Sequence, residues 1–167
     1  MSNGDSPAKC SLPVDGACFD LGQYYVTGQP LDPQGLDAIQ SAGIATVISF
    51  RDPTEPGYDA KESSTLIGMN IGFLSIPILH GMGQDIFDRQ ATAFAEALTE
   101  QQTPVLIHCS TGDRASGMWA VHLYVSGAMP LAAAVAYAQT ELALQNPGII
   151  DLVTNYQQPG AAQASSS

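Results

Sequence analysis

Three short apolar runs, "IATVISF" (44–50), "NIGFLSIPI" (70–78) and "PVLIH" (104–108), are set apart by stretches with helical spacing. The first is β-branched and largely apolar, which suits a strand buried on both faces, and the other two read as further strands. Between the first two, residues 59–67 read as a short helix. Between the last two, Phe87, Ala91, Phe94, Ala95 and Leu98 recur at helical spacing within 86–101. Strands alternating with helices demand right-handed crossovers, so the expected fold class is α/β, a central mostly parallel sheet flanked by helices. In such folds ligands sit beyond the carboxyl ends of the strands.

The remaining elements follow from local signals. "QYYVTGQ" (23–29) is β-prone and ends at Gly28 and Pro30. In "LDPQGLDAIQSAG", Asp32 is the expected N-cap and Pro33 the first helical residue, with Leu36 and Ile39 on one face and Gly43 at the stop. "HGMGQD" is a Gly-rich loop that ends at a second candidate cap, Asp85. A helix is expected over 115–126, another opens at Pro130, and "NPG" (146–148) is read as its end. The Ala-rich stretch 131–143 reads as core. Residues 1–12 and 157–167 are expected to be disordered tails around a single domain spanning 13–156.

Charge narrows the partners. The 167 residues carry a formal charge of −11, with 45% hydrophobic and 13% charged residues. Such an acidic globular chain is unsuited to nucleic acid or to an anionic membrane, and it repels polyanions at long range. A small phosphomonoester or a phosphoprotein suffers less. No apolar run nears the roughly 20 residues needed to cross a bilayer, and the start lacks the basic and apolar parts of a signal peptide, so the default expectation is cytoplasmic. Cys10 and Cys18 qualify that expectation, because two close cysteines apart from Cys109 fit a small disulfide loop beside one functional thiol. If they are bridged, the expected compartment is periplasmic or extracellular and a signal peptide has been removed. Two idle thiols in a cytoplasmic chain fit equally well.

The chemistry gathers in "VLIHCSTGDRASG" (105–117). A tight loop between strand and helix turns successive backbone N–H groups inward, and the helix adds its positive N-terminal end. Gly112 permits the sharp turn. Arg114 offers two parallel donors that match two oxygens of a phosphate or sulfate better than Lys could. Cys109, at the base of the cradle, is favoured as thiolate by the helix end and the guanidinium. One loop thus supplies a nucleophile and an anion site.

These residues resemble the bacterial phosphatase-like domains related to protein tyrosine and dual-specificity phosphatases, a family also found fused to β-lactamase-like hydrolases. The similarity runs from about residue 26 to 125 and includes "TGQP" (27–30), "GIATVISFRDPTE" (43–55), "SIPI" (75–78) and "PVLIHCSTGDRASGMWA" (104–120). It implies a tyrosine-phosphatase-like fold with Cys109 as nucleophile and Arg114 as phosphate clamp. It also implies a loop-organising His108, and phosphate-binding amides from Ser110, Thr111, Gly112, Asp113 and Ala115. The tyrosine phosphatases place five residues between Cys and Arg, whereas four intervene here. That shorter loop also resembles rhodanese-type sulfurtransferases, in which a Cys109 persulfide would carry sulfur. A phosphate-binding module with little turnover is a third reading.

Ester hydrolysis needs an acid for the leaving oxygen. His80 and Asp85 are the candidates, beside the alternatives of an acid elsewhere or none; Asp85 doubles as a helix cap and Asp88 as a first-turn carboxylate. Arg51 and Asp52 border the pocket or form a surface ion pair. Ser116 and Thr111 could hydrogen-bond the thiolate, and Asp113 is expected to point to solvent, away from a bound dianion. His122, near Trp119 and Leu123, reads as a packed residue. No His/Cys/Asp cluster has metal spacing, so neither metal nor cofactor is expected. Arg114→Lys should lower kcat/KM on an aryl phosphate by on the order of 10²-fold or more, as for removal of one preorganised oxyanion donor. Steady-state kinetics of the purified variant check this.

Overall fold

The apolar runs become the parallel part of one six-stranded sheet in the computed structural model, which describes residues 6–159. In chain order the elements are β1 (Ala8–Lys9), β2 (Cys18–Asp20), β3 (Tyr24–Thr27), α1 (Gln34–Ser41), β4 (Thr46–Ser49), α2 (Glu62–Gly68), β5 (Gly72–Ser75), α3 (Gln84–Glu100), β6 (Val105–His108), α4 (Asp113–Val125), α5 (Leu131–Glu141) and α6 (Pro147–Thr154). Strand order is β1-β2-β3-β6-β4-β5. β3, β6, β4 and β5 pair in parallel, and β1 and β2 add antiparallel at the β3 edge. The sheet is mostly parallel, as the alternation of elements requires.

Side-chain alternation splits the core between two layers. Val47 of β4 and Leu106 of β6 join Leu36 and Ile39 of α1 and Leu66 of α2. On the opposite face Val26, Ile48, Val105 and Ile107 pack with Phe87, Phe94 and Leu98 of α3 and with Met118 and Trp119 of α4. All four residues of β6 are buried, because β3 and β4 flank it and helices cover both faces. α4 buries its residues almost all round, and Leu144, Ile149 and Val153 press so closely on Gly117 that a Cβ there would lie 3.0 Å from Val153.

Several local expectations change. Residues 6–12 are not a tail: Ala8 and Lys9 pair with Asp20 and Phe19 of β2, and Cys10 is bonded to Cys18. Both strands are too short for period-2 patterning to reveal. Residues 1–5 and 160–167 of the expected tails lie outside the described residues. Pro33, not Asp32, occupies the N-cap of α1, with no side-chain cap. Gly83 precedes α3, so Asp85 lies inside its first turn. "NPG" does not end the Ala-rich helix, which stops at Glu141. It starts α6, with Asn146 accepting the Ile149 N–H and Pro147 at the first position. Asn, Pro and Gly serve a helix start as readily as a stop. Asn146→Ala should destabilise the fold by about 1 kcal/mol, the usual worth of a side-chain cap, as read from the urea midpoint.

Candidate active site

Parallel register brings the critical loops together. His108 pairs with both Thr27 of β3 and Ser49 of β4, so the residues after all three strands emerge side by side. Alternation then divides the polar groups. Cys109 continues the row of Val105 and Ile107 into the α3–α4 layer and is only 1% exposed. His108 turns toward α2, where it meets Glu62.

Each peptide of the loop is held from outside. The Ser110 carbonyl accepts from the Gln29 N–H at 2.9 Å, and the Thr111 carbonyl accepts from the Ala17 N–H at 3.0 Å. Trans peptides point N–H and C=O in opposite directions, so outward carbonyls leave the following amides facing inward. The Gly112 N–H accordingly donates to Cys109 Sγ at 3.1 Å, with the Ala115 N–H at 3.5 Å. Gly112 adopts φ 107°, a left-handed conformation that glycine takes without penalty. Ser116 does not reach the thiol: its hydroxyl donates to the Gly112 carbonyl at 2.7 Å and accepts from the Ala143 N–H at 3.0 Å. Thr111 is exposed. Asp113 faces away from the cradle but not into open solvent, since its carboxylate accepts the Gln145 and Asn146 N–H groups that precede α6.

Arg114 is buried, and its fork is fixed by Glu55. Nη1 donates to Glu55 Oε1 at 2.9 Å and to the Ile78 carbonyl at 2.9 Å, while Nη2 donates to Glu55 Oε2 at 2.8 Å. These bonds use Nη1 and one N–H of Nη2 and do not engage Nε–H. Burial opposes the Arg114 charge, but the bond to Glu55 and the charge of Cys109 outweigh it and raise its pKa. Burial likewise pushes the Glu55 carboxyl up, yet hydrogen bonds from Arg114, the Asp52 N–H and Arg51 bring it down to about 2.

Arg51 borders the pocket together with Asp52, one of the two alternatives expected from sequence, and its ion-pair partner is Glu55 rather than Asp52. It is buried at 3% exposure behind Glu55, giving Nε to Glu55 at 2.9 Å, Nη1 to Gln29 Oε1 at 2.9 Å and Nη2 to the Pro56 carbonyl at 2.6 Å. The Asp52 carboxylate closes a turn on Thr54. Gln29 passes the connection to Glu62 Oε1 at 2.7 Å, Glu62 Oε2 meets His108 Nε2 at 2.6 Å, and His108 Nδ1 lies 3.0 Å from the Cys109 carbonyl. Burial works against the Glu62 charge, but the bond to His108 and the charges of His108 and Arg51 lower its pKa. A continuous chain of buried polar groups therefore runs from the Cys109 carbonyl to Arg114.

Above this floor lies a cleft of about 440 Å³ whose lining includes Asp52, Thr54, Pro56, Leu79, His80, Ser110 and Arg114. His80 stands on that cleft. Asp85 does not: it lines a separate cleft of about 350 Å³ with Asp88, Arg89, Gln157 and Pro159. Burial raises the Asp88 pKa. His122 packs on the rings of Trp119 and Tyr24, and burial lowers its pKa. Glu55, Glu62 and Gln29 were not among the residues expected from sequence. A carboxylate in the loop after a central strand is the signal that could have found Glu55.

Because Glu55 has its folded pKa below the ordinary 4.5, its bridge stabilises the protein above that value and is lost as pH falls toward about 2. The melting temperature of wild type should exceed that of Glu55→Gln near neutral pH. The gap should close as the solution is acidified through that window, as differential scanning fluorimetry across pH will register.

Residues 22–162 match the family described as "Swiss Army Knife protein, DSP-PTPase phosphatase domain". Two curated relatives are named β-lactamase hydrolase-like protein. The one from Xylella fastidiosa is 27% identical over 62% of this chain and 24% of its own length; the one from Agrobacterium fabrum is 28% identical over 61% and 22%. The chain thus spans about a quarter of the length of these relatives. Among solved structures, Pseudomonas aeruginosa TpbA superposes with a TM-score of 0.67 at 19% identity, covering 97% of this chain and 98% of that one. A TpbA variant in complex with phosphotyrosine gives 0.66 at 17%, covering 99% of each. The catalytic domain of the PP-IP phosphatase SIW14 from Saccharomyces cerevisiae gives 0.62 at 12%, covering 93% and 94%.

Proposed function

We propose, from the premise that the chain belongs to the DSP-PTPase phosphatase domain family, that it hydrolyses small aryl phosphomonoesters through a phosphocysteine at Cys109. The observation that carries this reading is the buried Cys109 Sγ, held by the Gly112 N–H at 3.1 Å beside an arginine whose fork Glu55 fixes. Cys109 attacks phosphorus while the P–O bond to the leaving group breaks. Arg114 Nε and Nη2 and the loop amides hold the equatorial oxygens, so most of the stabilisation is electrostatic and preorganised. Water then attacks the phosphocysteine, passes a proton to the proposed acid His80, which has given its own to the leaving oxygen, and releases inorganic phosphate and the free thiolate.

His80 is proposed as the acid for the leaving oxygen, because it shares the cleft with Ser110 and Arg114 while Asp85 faces another. Pro56 and Leu79 on the cleft wall suit the face of an aromatic ring. The TpbA variant holds phosphotyrosine, which supports an aryl phosphate here. A charge of −11 argues against polyanions such as nucleotides or phosphoinositides. The Cys10–Cys18 bond supports an oxidising compartment, and no helix among the described residues is long and apolar enough to cross a membrane.

Wild type should hydrolyse 4-nitrophenyl phosphate and Cys109→Ser should not. His80→Ala should harm alkyl phosphates, which have poor leaving groups, far more than activated aryl esters. Equal losses across leaving groups would remove His80 from the acid role. Thiosulfate:cyanide sulfurtransferase activity without phosphatase activity would overturn the reading.

A further inference from the structure

The disulfide-closed segment at the β1–β2 edge lies against the catalytic loop itself. Cys10 and Cys18, eight residues apart with Cα atoms 5.0 Å from each other, close a loop that contains Gly16 and Ala17. The Ala17 N–H donates to the Thr111 carbonyl at 3.0 Å, and the next N–H along, that of Gly112, donates to Cys109 Sγ at 3.1 Å. One rigid peptide unit carries both groups on opposite sides. Holding its carbonyl outward therefore aims its amide at the reacting sulfur. The fit leaves no room for slack. A Cβ on Gly16, whose φ is 66°, would overlap the Thr111 carbonyl, and one on Gly112 would lie 2.7 Å from the Ala17 Cβ.

We infer that the Cys10–Cys18 loop is a redox-governed positioning element, in which Ala17 fixes the Thr111–Gly112 peptide and the disulfide keeps Ala17 in place. The activity arm of this inference rests on the phosphatase reading above. Both cysteines are half-buried beside a cleft of about 300 Å³ lined by Lys9, Cys10, Gly16, Ala17, Cys18 and Phe19, which gives a small thiol access. A dithiol reductant attacks one sulfur, the S–S bond breaks through a mixed disulfide, and the second thiol of the reductant resolves it. Cys10 and Cys18 end as thiols and the reductant as a cyclic disulfide. Cys109 is already a free thiol and takes no part. Without the cross-link the residues before β2 gain freedom, and the Thr111–Gly112 peptide loses its outer anchor for part of the time.

The test compares oxidised wild type, wild type reduced with dithiothreitol and reoxidised, Cys10→Ser/Cys18→Ser, and Ala17→Pro. The proline variant deletes the N–H donor while keeping the disulfide. Each is measured for kcat and KM on 4-nitrophenyl phosphate, Kd for inorganic phosphate, melting temperature, and hydrogen exchange at the Gly112 amide. Reduction should lower kcat/KM by on the order of tenfold or more, since one aimed donor in such a site is worth about 10²-fold or more when lost outright. Gly112 exchange should quicken and reoxidation should restore both. The double serine variant should match the reduced protein and ignore the dithiol, and Ala17→Pro should be impaired even when oxidised. Unchanged kcat/KM and Gly112 exchange in protein whose Cys10 and Cys18 label fully as thiols would overturn the inference. So would a loss explained by melting below the assay temperature. If oxidised wild type shows no turnover, the phosphatase reading fails by itself and Gly112 exchange still decides: faster exchange on reduction supports the positioning role, equal exchange refutes it.

Discussion

The paired contact between Arg114 and Glu55 is the constraint around which the site is organised. The Arg114 guanidinium is buried, and a buried cation without a partner costs several kcal/mol. Glu55 offsets that cost with two short bonds to the fork. The carboxylate then needs its own support, which Arg51 and the Asp52 N–H provide. Arg51 in turn is held by Gln29, and Gln29 by Glu62. Glu62 ends the chain at His108, whose ring reaches the Cys109 carbonyl. Deleting a member of such a network strands a buried charge, which costs about 3–5 kcal/mol.

The topology explains why these groups can meet at all. β6 enters the sheet last yet lies between β3 and β4, so the loops after three parallel strands share one edge. Gln29 comes from the β3 loop, Arg51 and Glu55 from the β4 loop, Cys109 to Gly112 from the β6 loop and Arg114 from the first turn of α4. Period-2 alternation then sends Cys109 to one layer and His108 to the other, so thiol and imidazole never compete for the same space.

What could be read from the sequence follows the range of the interactions involved. β4 and β6 were legible because burial on both faces forces an apolar run such as "TVIS" or "VLIH". β5, by contrast, lies at the sheet edge and buries none of its four residues. The Cys109 to Arg114 loop was legible because its chemistry is local: nucleophile, glycine, arginine and helix start are consecutive. Glu55 was hidden within a turn read only as a connector, since its partner Arg114 lies 59 positions away. Glu62 and Gln29 were hidden for the same reason, joined across 33 positions. β1 escaped notice because a two-residue strand has no period. The start of α6 was mistaken for the end of α5 because Asn-Pro-Gly carries both meanings.

The central claim is that Cys109 forms a covalent bond to phosphorus while Arg114 holds the oxygens. Mixing the oxidised protein with an aryl phosphate, quenching within the first turnovers and measuring intact mass with peptide mapping tests that bond directly. The account predicts a transient species one phosphoryl group heavier, mapped to Cys109, absent from Cys109→Ser and sharply reduced in Arg114→Lys. Hydrolysis that proceeds with no such species, or with the phosphoryl group on another residue, would contradict it.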